Sequence, residues 1–436
     1  MEAVLSAGIV LGLIFFYLGL GVWVFAGLLL VAATALWLVL GMSIDRVGTI
    51  AANIAYRYAS TWELAAIPMF IWMGEIIFRT DISDRLFRGL IPFVNRIPGG
   101  LLHTNVLGCT LFAAVSGSSA ATTATVGKIT TTELAKRGYN RSLALGSLAG
   151  AGSLGLLIPP SIVMIVYGIL AEVSVSRLFA AGILPGVMIA ALYSGYIMIR
   201  ALMDPSIAPS DNVRHGLRDY LVALLNLSPI LILMVIVLGS IYTGIATPSE
   251  AAAVGVAAAL VIALFMRQMT PRLFVETLLG AVRTSCMVCI ILISAAFLST
   301  AMGYLHIPAN VARAIGALDL SPLGLILILS VFYIVLGLFL DGVSIIVMSL
   351  PITFPLAMQA GFDPIWFGIY LVIMTEMGQI TPPVGFNLFV LQGLTGTPIG
   401  KVAVYAFPFF CLMGLGVLIL TVFPEIALWL PNTLYG

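Results

Sequence analysis

Long runs of apolar residues, broken by brief polar clusters, set the plan of this 436-residue chain. Near-continuous apolar windows fall at 4–20, 22–42, 62–78, 142–171, 178–200, 220–242, 248–266, 277–303, 365–395 and 402–430. A helix of about 20 apolar residues crosses the hydrocarbon core of a bilayer, so these windows predict about ten spans. Two further stretches, 99–134 and 321–360, are apolar but interrupted midway by small polar residues. Each predicts a re-entrant hairpin of two short helices. The segment 43–61 carries Arg46, Arg57 and Tyr58 among apolar residues and predicts a helix lying in the membrane interface.

Composition agrees with that pattern and narrows it. Hydrophobic residues make up 61% of the chain and charged residues 8%, whereas a soluble domain carries roughly a quarter charged. The expected fold class is an all-α polytopic membrane protein. A net charge of +1 offers no electrostatic case for nucleic acid. Cys109, Cys286, Cys289 and Cys411 sit in apolar surroundings and read as small buried filler rather than a metal site. His103, His215 and His306 lie in unrelated segments without an H-E-x-x-H, which argues against a metalloprotease. No G-x-x-x-x-G-K-[ST] is present, so the chain is not expected to hydrolyse ATP by itself. The first 42 residues are too long and uniformly apolar for a cleavable signal peptide and read as two spans.

Basic residues orient the spans. If both hairpins enter and leave on one side, and the N-terminus lies outside, the cytoplasmic face collects Arg79, Arg85, Arg88, Arg96, Lys136, Arg137, Arg141, Arg200, Arg214, Arg218, Arg267, Arg272 and Lys401. The outer face keeps Arg46, Arg57, Arg177 and Arg313, with Lys128 and Arg283 inside apolar segments. Thirteen against four is a strong positive-inside bias, and it predicts that both termini are periplasmic. A single crossing at either hairpin would scramble it.

The two Pro-Pro dipeptides reveal a repeat. Gly155-Leu-Leu-Ile-Pro159-Pro160 and Gly378-Gln-Ile-Thr-Pro382-Pro383 lie 223 residues apart, an offset that also relates Pro185 to Pro408 and Gly21 to Gly244. A small-residue break precedes each by about 40 residues: Ser116-Gly117-Ser118-Ser119 and Asp341-Gly342-Val343-Ser344. The predicted halves are 1–213, with hairpin 99–134 and broken helix 142–171, and 219–436, with hairpin 321–360 and broken helix 365–395. Five spans per half is odd, so the second half must be inverted. Inverted repeats with broken helices are the pattern of a secondary transporter.

Irregular backbone is tolerated at membrane depth only inside protein or beside a water-filled cavity. Carbonyls freed there, with hydroxyls of Ser116, Ser118, Ser119 or Thr381, suit a hard cation such as sodium, and helix N-termini at the same breaks suit an anion. Asp341 and Glu376 fall within the second half's breaks, where they join a cation site, shuttle protons or cap backbone donors. Asn387 either reaches a polar substrate or ties two helices together. Thr122, Thr123 and Thr125 pose the same choice, and Lys128 either snorkels or meets a substrate carboxylate.

The motifs V-S-G-S-S-A-A-T-T-A-T (115–125), G-L-L-I-P-P-S (155–161), A-G-I-L-P-G (181–186) and Q-I-T-P-P-V-G-F-N-L-F-V (379–390) resemble the large membrane subunit of tripartite ATP-independent periplasmic (TRAP) transporters. The resemblance implies an elevator-type ion-transporter fold. It also implies a sodium-coupled importer of small organic acids, working with a periplasmic substrate-binding protein and a small four-helix membrane subunit on a separate chain. The implied location is the bacterial inner membrane. Carried over by motif, one sodium site would comprise Ser116, Ser119, Gly155, Ile158 and Pro159, and the other Gly342, Gly378, Thr381 and Val384. Ser118, Thr122 and Asn387 are the expected substrate contacts. The alternative is a stand-alone sodium- or proton-coupled anion symporter of similar fold. An intramembrane protease is disfavoured, because G-x-S-G is absent and Asp341 has no second aspartate within a span.

Overall fold

A computed structural model describes residues 9, 10, 12, 13, 16, 17, 20–209, 216–307, 310, 321–338, 340–382 and 385–436. Most of window 4–20 lies outside them, as do Arg214, His215, Arg313, Pro383 and Val384. All regular structure among the described residues is helical. In chain order the first helices are α1 (Val24–Leu38), α2 (Ile44–Ala59), α3 (Ala66–Arg79), α4 (Ile82–Val94), α5 (His103–Ser116) and α6 (Ser119–Lys136). They are followed by α7 (Arg141–Gly152), α8 (Ile162–Ala171) and α9 (Val175–Met203). The remainder holds α10 (Leu217–Tyr242), α11 (Pro248–Phe265), α12 (Pro271–Tyr304), α13 (Pro322–Gly337), α14 (Gly342–Gln359), α15 (Pro364–Gln379), α16 (Phe386–Thr395), α17 (Ile399–Val422) and α18 (Glu425–Tyr435).

Local chemistry sets many of these boundaries. Proline stands at the first position of α11, α12, α13 and α15, where its missing N–H costs nothing. Ser118, Asn140, Ser161, Ser174, Thr270, Ser321 and Asp363 each accept from a first-turn N–H of the helix they open, satisfying donors that have no intrahelical partner.

Six of the described helices are long and apolar enough to cross a membrane: α9, α10, α11, α12, α14 and α17. A seventh is obtained if α2 and the Trp62–Arg79 arm, bent by 61° from each other, count as one span. Windows 142–171 and 365–395 each come out as two shorter helices, α7 with α8 and α15 with α16, so neither contains a single helix of spanning length. Two details differ from the sequence pattern. The basic stretch after Arg79 holds α4, whose buried Ile82, Leu86, Leu90 and Val94 recur at helical spacing; α4 packs on α10, with Gly89 against Leu227. Window 402–430 is divided, because α17 ends at Val422 and α18 starts after Pro424, which has no N–H to continue a ladder.

The packing has two layers of partners. Helix α12 packs on α1 and α3, and α11 on α3 and α10. Inside, α6 packs on α16 and α14 packs on α8. Thus the second helix of each interrupted stretch lies against the second arm of the other half's broken helix.

Candidate functional site

The backbone breaks at 117–118 and 153–161 come together in the interior, and Glu376 and Asn387, from the helices on either side of the second Pro-Pro break, reach the same point. Gly117 (φ +61°) turns the chain between α5 and α6, in the left-handed region that favours glycine. A Cβ there would lie 2.8 Å from the Pro160 carbonyl oxygen. At Gly155, a Cβ would lie 2.6 Å from Ser119 Cα and 2.8 Å from the Ser118 carbonyl carbon. The tip of the first interrupted stretch is therefore pressed, backbone to backbone, onto the first broken helix. Ile158 and Pro159 are buried in the same break.

The hydroxyls at this tip are organised by short local bonds. Thr122 donates to the Ser118 carbonyl at 2.7 Å, and the Ser116 and Thr122 hydroxyls meet at 2.9 Å. Since Thr122 spends its proton on Ser118, Ser116 is the donor of that pair. Ser118 caps α6 by accepting from Ala121 N at 3.4 Å. Thr381 donates to the Met377 carbonyl at 2.7 Å. A hydroxyl that has donated to a carbonyl keeps its lone pairs free for a further donor or a cation.

Around the second break, Asp341 accepts from Val343 N at 3.1 Å and Ser344 N at 3.4 Å, and from the Ser344 hydroxyl. It is the N-cap of α14, and its charge sits at the positive end of that helix. Gly342 lies in a cradle: a Cβ would come 3.0 Å from Gln379 Nε2, 3.0 Å from Thr375 Cγ2 and 2.9 Å from Leu156 Cδ1. Gly378 faces Gly337 so closely that a Cβ would lie 2.5 Å from Gly337 Cα. Val384 lies outside the described residues.

Glu376 joins the two regions. It is 1% exposed, and its Oε1 accepts from Leu156 N at 2.9 Å, a donor in the 3-10 turn of the first broken helix. Ser119, 2% exposed, has one proton facing two acceptors, Glu376 Oε2 at 3.0 Å and the Gly152 carbonyl at 3.1 Å. Asn387 Nδ2 donates to the Ser119 oxygen at 2.7 Å, so this amide ties α16 to α6. Residues 257 and 268 positions away from Ser119 thus hold it. Glu376 was visible in the sequence as an acidic residue inside a break, but nothing there marked Leu156 as its partner.

Arranged this way, the site gathers hard oxygen groups, the donor type that small hard cations prefer. Buried oxygens of Thr123, Thr375 and Asn387 have no hydrogen-bond partner, although buried polar atoms are ordinarily paired. Three of the half-helices at the breaks start at a side-chain cap, whereas α16 starts at Gly385 without one.

Such a fold, helical with broken helices meeting inside, is one pattern that membrane transporters use. The chain shares it with the Alcanivorax borkumensis YdaH transporter, at a TM-score of 0.60 and 13% identity over 89% of both chains. The chain belongs to the DctM component family of the tripartite ATP-independent periplasmic transporters, whose family model matches residues 11–426. It is 37% identical to the C4-dicarboxylate TRAP transporter large permease protein DctM of Pseudomonas aeruginosa, covering 91% of this chain and 92% of that one. It is 33% identical to the ectoine/5-hydroxyectoine TRAP transporter large permease protein UehC of Ruegeria pomeroyi, covering 86% and 87%.

Proposed function

We propose that this chain is the large permease subunit of a sodium-coupled importer of a small organic acid. A periplasmic substrate-binding protein delivers the acid, and a small four-helix membrane subunit completes the system. The observation that carries the reading is the junction at Ser119, where both halves of the chain supply buried oxygens to one point beside two backbone breaks. Family membership supports the binding protein and the small subunit. The C4-dicarboxylate specificity in the name of a relative supports a carboxylate substrate.

In this reading the halves 1–213 and 219–436 are inverted repeats with ten spans and two hairpins, and both termini are periplasmic in the bacterial inner membrane. Ser116, Ser119, Gly155, Ile158 and Pro159 hold one sodium ion; Gly342, Gly378, Thr381 and Val384 hold the other. The substrate carboxylate lies at the uncapped start of α16, near Asn387, with Ser118 and Thr122 facing it, because first-turn N–H groups and the helix dipole favour an anion there. The reciprocal packing of α6 on α16 and α14 on α8 supports one rigid unit carrying both tips. That unit moves against the helices around α12 as an elevator. Each positive charge carried inward gains about 2.3 kcal/mol per 100 mV, so two cations with a monovalent anion retain a net driving force.

Sodium binding is testable without a substrate. As sodium replaces choline at constant ionic strength, the melting temperature of the purified chain should rise and saturate, following RT ln(1 + [Na]/Kd). A melting temperature indifferent to the exchange would remove sodium from the reading.

A further inference from the structure

A cavity of about 480 Å³ opens between the bend that joins α2 to α3, the turn from α8 into α9, and the start of α11. Arg57 stands on α2, which packs on α12. Glu172 ends α8, which packs on α14. In the elevator reading the cavity therefore lies on the seam between fixed and moving parts, at the face assigned to the periplasm. Both residues line it, with Arg57 Nη2 at 3.7 Å from Glu172 Oε1 and both side chains exposed. That is longer than a hydrogen bond, and an exposed ion pair contributes little. Glu172 nonetheless holds its place under strain. Its φ is +55°, its N–H closes α8 on the Gly168 carbonyl, and such a helix-ending position ordinarily falls to glycine. Strain at a non-glycine residue points to a function. Here it sets a carboxylate against a guanidinium from the other side of the seam.

We propose that this cavity is an outer receiving site for a small carboxylate, with Arg57 as its receptor and the Glu172 carboxylate as an internal stand-in for the acid. The inference rests on the importer reading above and deepens it. The volume suits a small molecule. The starts of α9 and α11 form part of the wall, and helix starts favour an anion. Among the described lining residues Arg57 is the one base beside two acids, Glu63 and Glu172, so an incoming carboxylate must replace Glu172 rather than join it. The exchange costs little because the pair it breaks is loose. It also unties the α8 turn from α2, so that arrival of the acid frees the moving part.

Two single variants separate a receptor from a latch, since both break the same ion pair. The melting temperature of the purified chain is followed as sodium succinate replaces sodium chloride at constant sodium and ionic strength. Arg57→Gln should raise the half-saturating succinate concentration about tenfold, the scale of a lost charged contact. Glu172→Gln removes the competitor and should lower that concentration about threefold, the scale of an exposed ion pair. A latch alone would shift both variants the same way, and binding elsewhere would leave all three proteins with equal half-saturation. Either result, or no saturable succinate response, overturns the outer site. Uptake by the wild-type system, with its small subunit and loaded binding protein, reports separately on the importer reading. Uptake that persists confines the failure to the outer site, and absent uptake overturns both.

Discussion

Gly155→Ala is expected to cut transport by about a hundredfold, the scale on which a displacement of roughly 1 Å disables a positioned site. The added methyl would lie 2.6 Å from Ser119 Cα, 2.7 Å from Ser119 N and 2.8 Å from the Ser118 carbonyl carbon. All three atoms are backbone, so no rotamer change relieves the overlap, and the tip must leave the broken helix. Ser119 then loses its registry with Glu376, Asn387 and Gly152 together. Overpacking of this kind also costs about 1–3 kcal/mol of stability. Gly195→Ala and Gly400→Ala are the controls, since a Cβ at either meets nothing within 4 Å. Uptake rates of the three variants at matched expression decide the matter. A Gly155→Ala protein that transports like its controls would mean that the tip and the break move independently.

Gly378→Ala should disable the second region for a related reason. Helices α13 and α15 meet there, and the new Cβ would lie 2.5 Å from Gly337 Cα and 3.2 Å from the Gly337 carbonyl carbon. Small residues let membrane helices approach at backbone distance, and a methyl at this crossing drives them apart by about the cost of overpacking, 1–3 kcal/mol. Thr381, with Gly378 itself in the second proposed sodium set, lies within one turn of the contact, and Glu376, which accepts from Ser119 and Leu156, lies within one turn on the other side, so both regions shift. The clash is mutual: a Cβ on Gly337 would lie 2.4 Å from Gly378 Cα, so Gly337→Ala should reproduce the loss. A lowered melting temperature with a weakened sodium response is the expected result for both. Normal sodium response in both would place the ion site away from the end of α15.

Residues that act on their own backbone were legible in the sequence; residues that act across the fold were not. Gly117, the Pro159-Pro160 pair and Asp341 announce breaks, because a left-handed turn, two missing N–H groups and a helix cap are properties of adjacent residues. Helix α4 escaped notice because its apolar face is a spaced stripe among Arg85, Arg88 and Arg96 rather than a continuous run. The end of α17 was hidden because apolar runs flank the short Pro424-Glu425 step. The tie from Glu376 to Leu156 spans 220 residues, and no spacing rule pairs a carboxylate with one particular main-chain N–H at that distance. Asn387 stood open between substrate and helix tie, and its amide sits on Ser119. Thr123 stood open between substrate contact and helix packing, and its buried hydroxyl has no hydrogen-bond partner.

Transport by the complete system is the most direct test of the central claim. The large and small subunits would be placed in proteoliposomes, with the cognate binding protein outside, loaded with the radiolabelled acid that it retains on purification. Accumulation above equilibrium should require an inward sodium gradient and the binding protein together, and an inside-negative potential should increase it. Equal accumulation with choline in place of sodium, or undiminished uptake of the free acid without the binding protein, would contradict a sodium-driven permease fed by a binding protein.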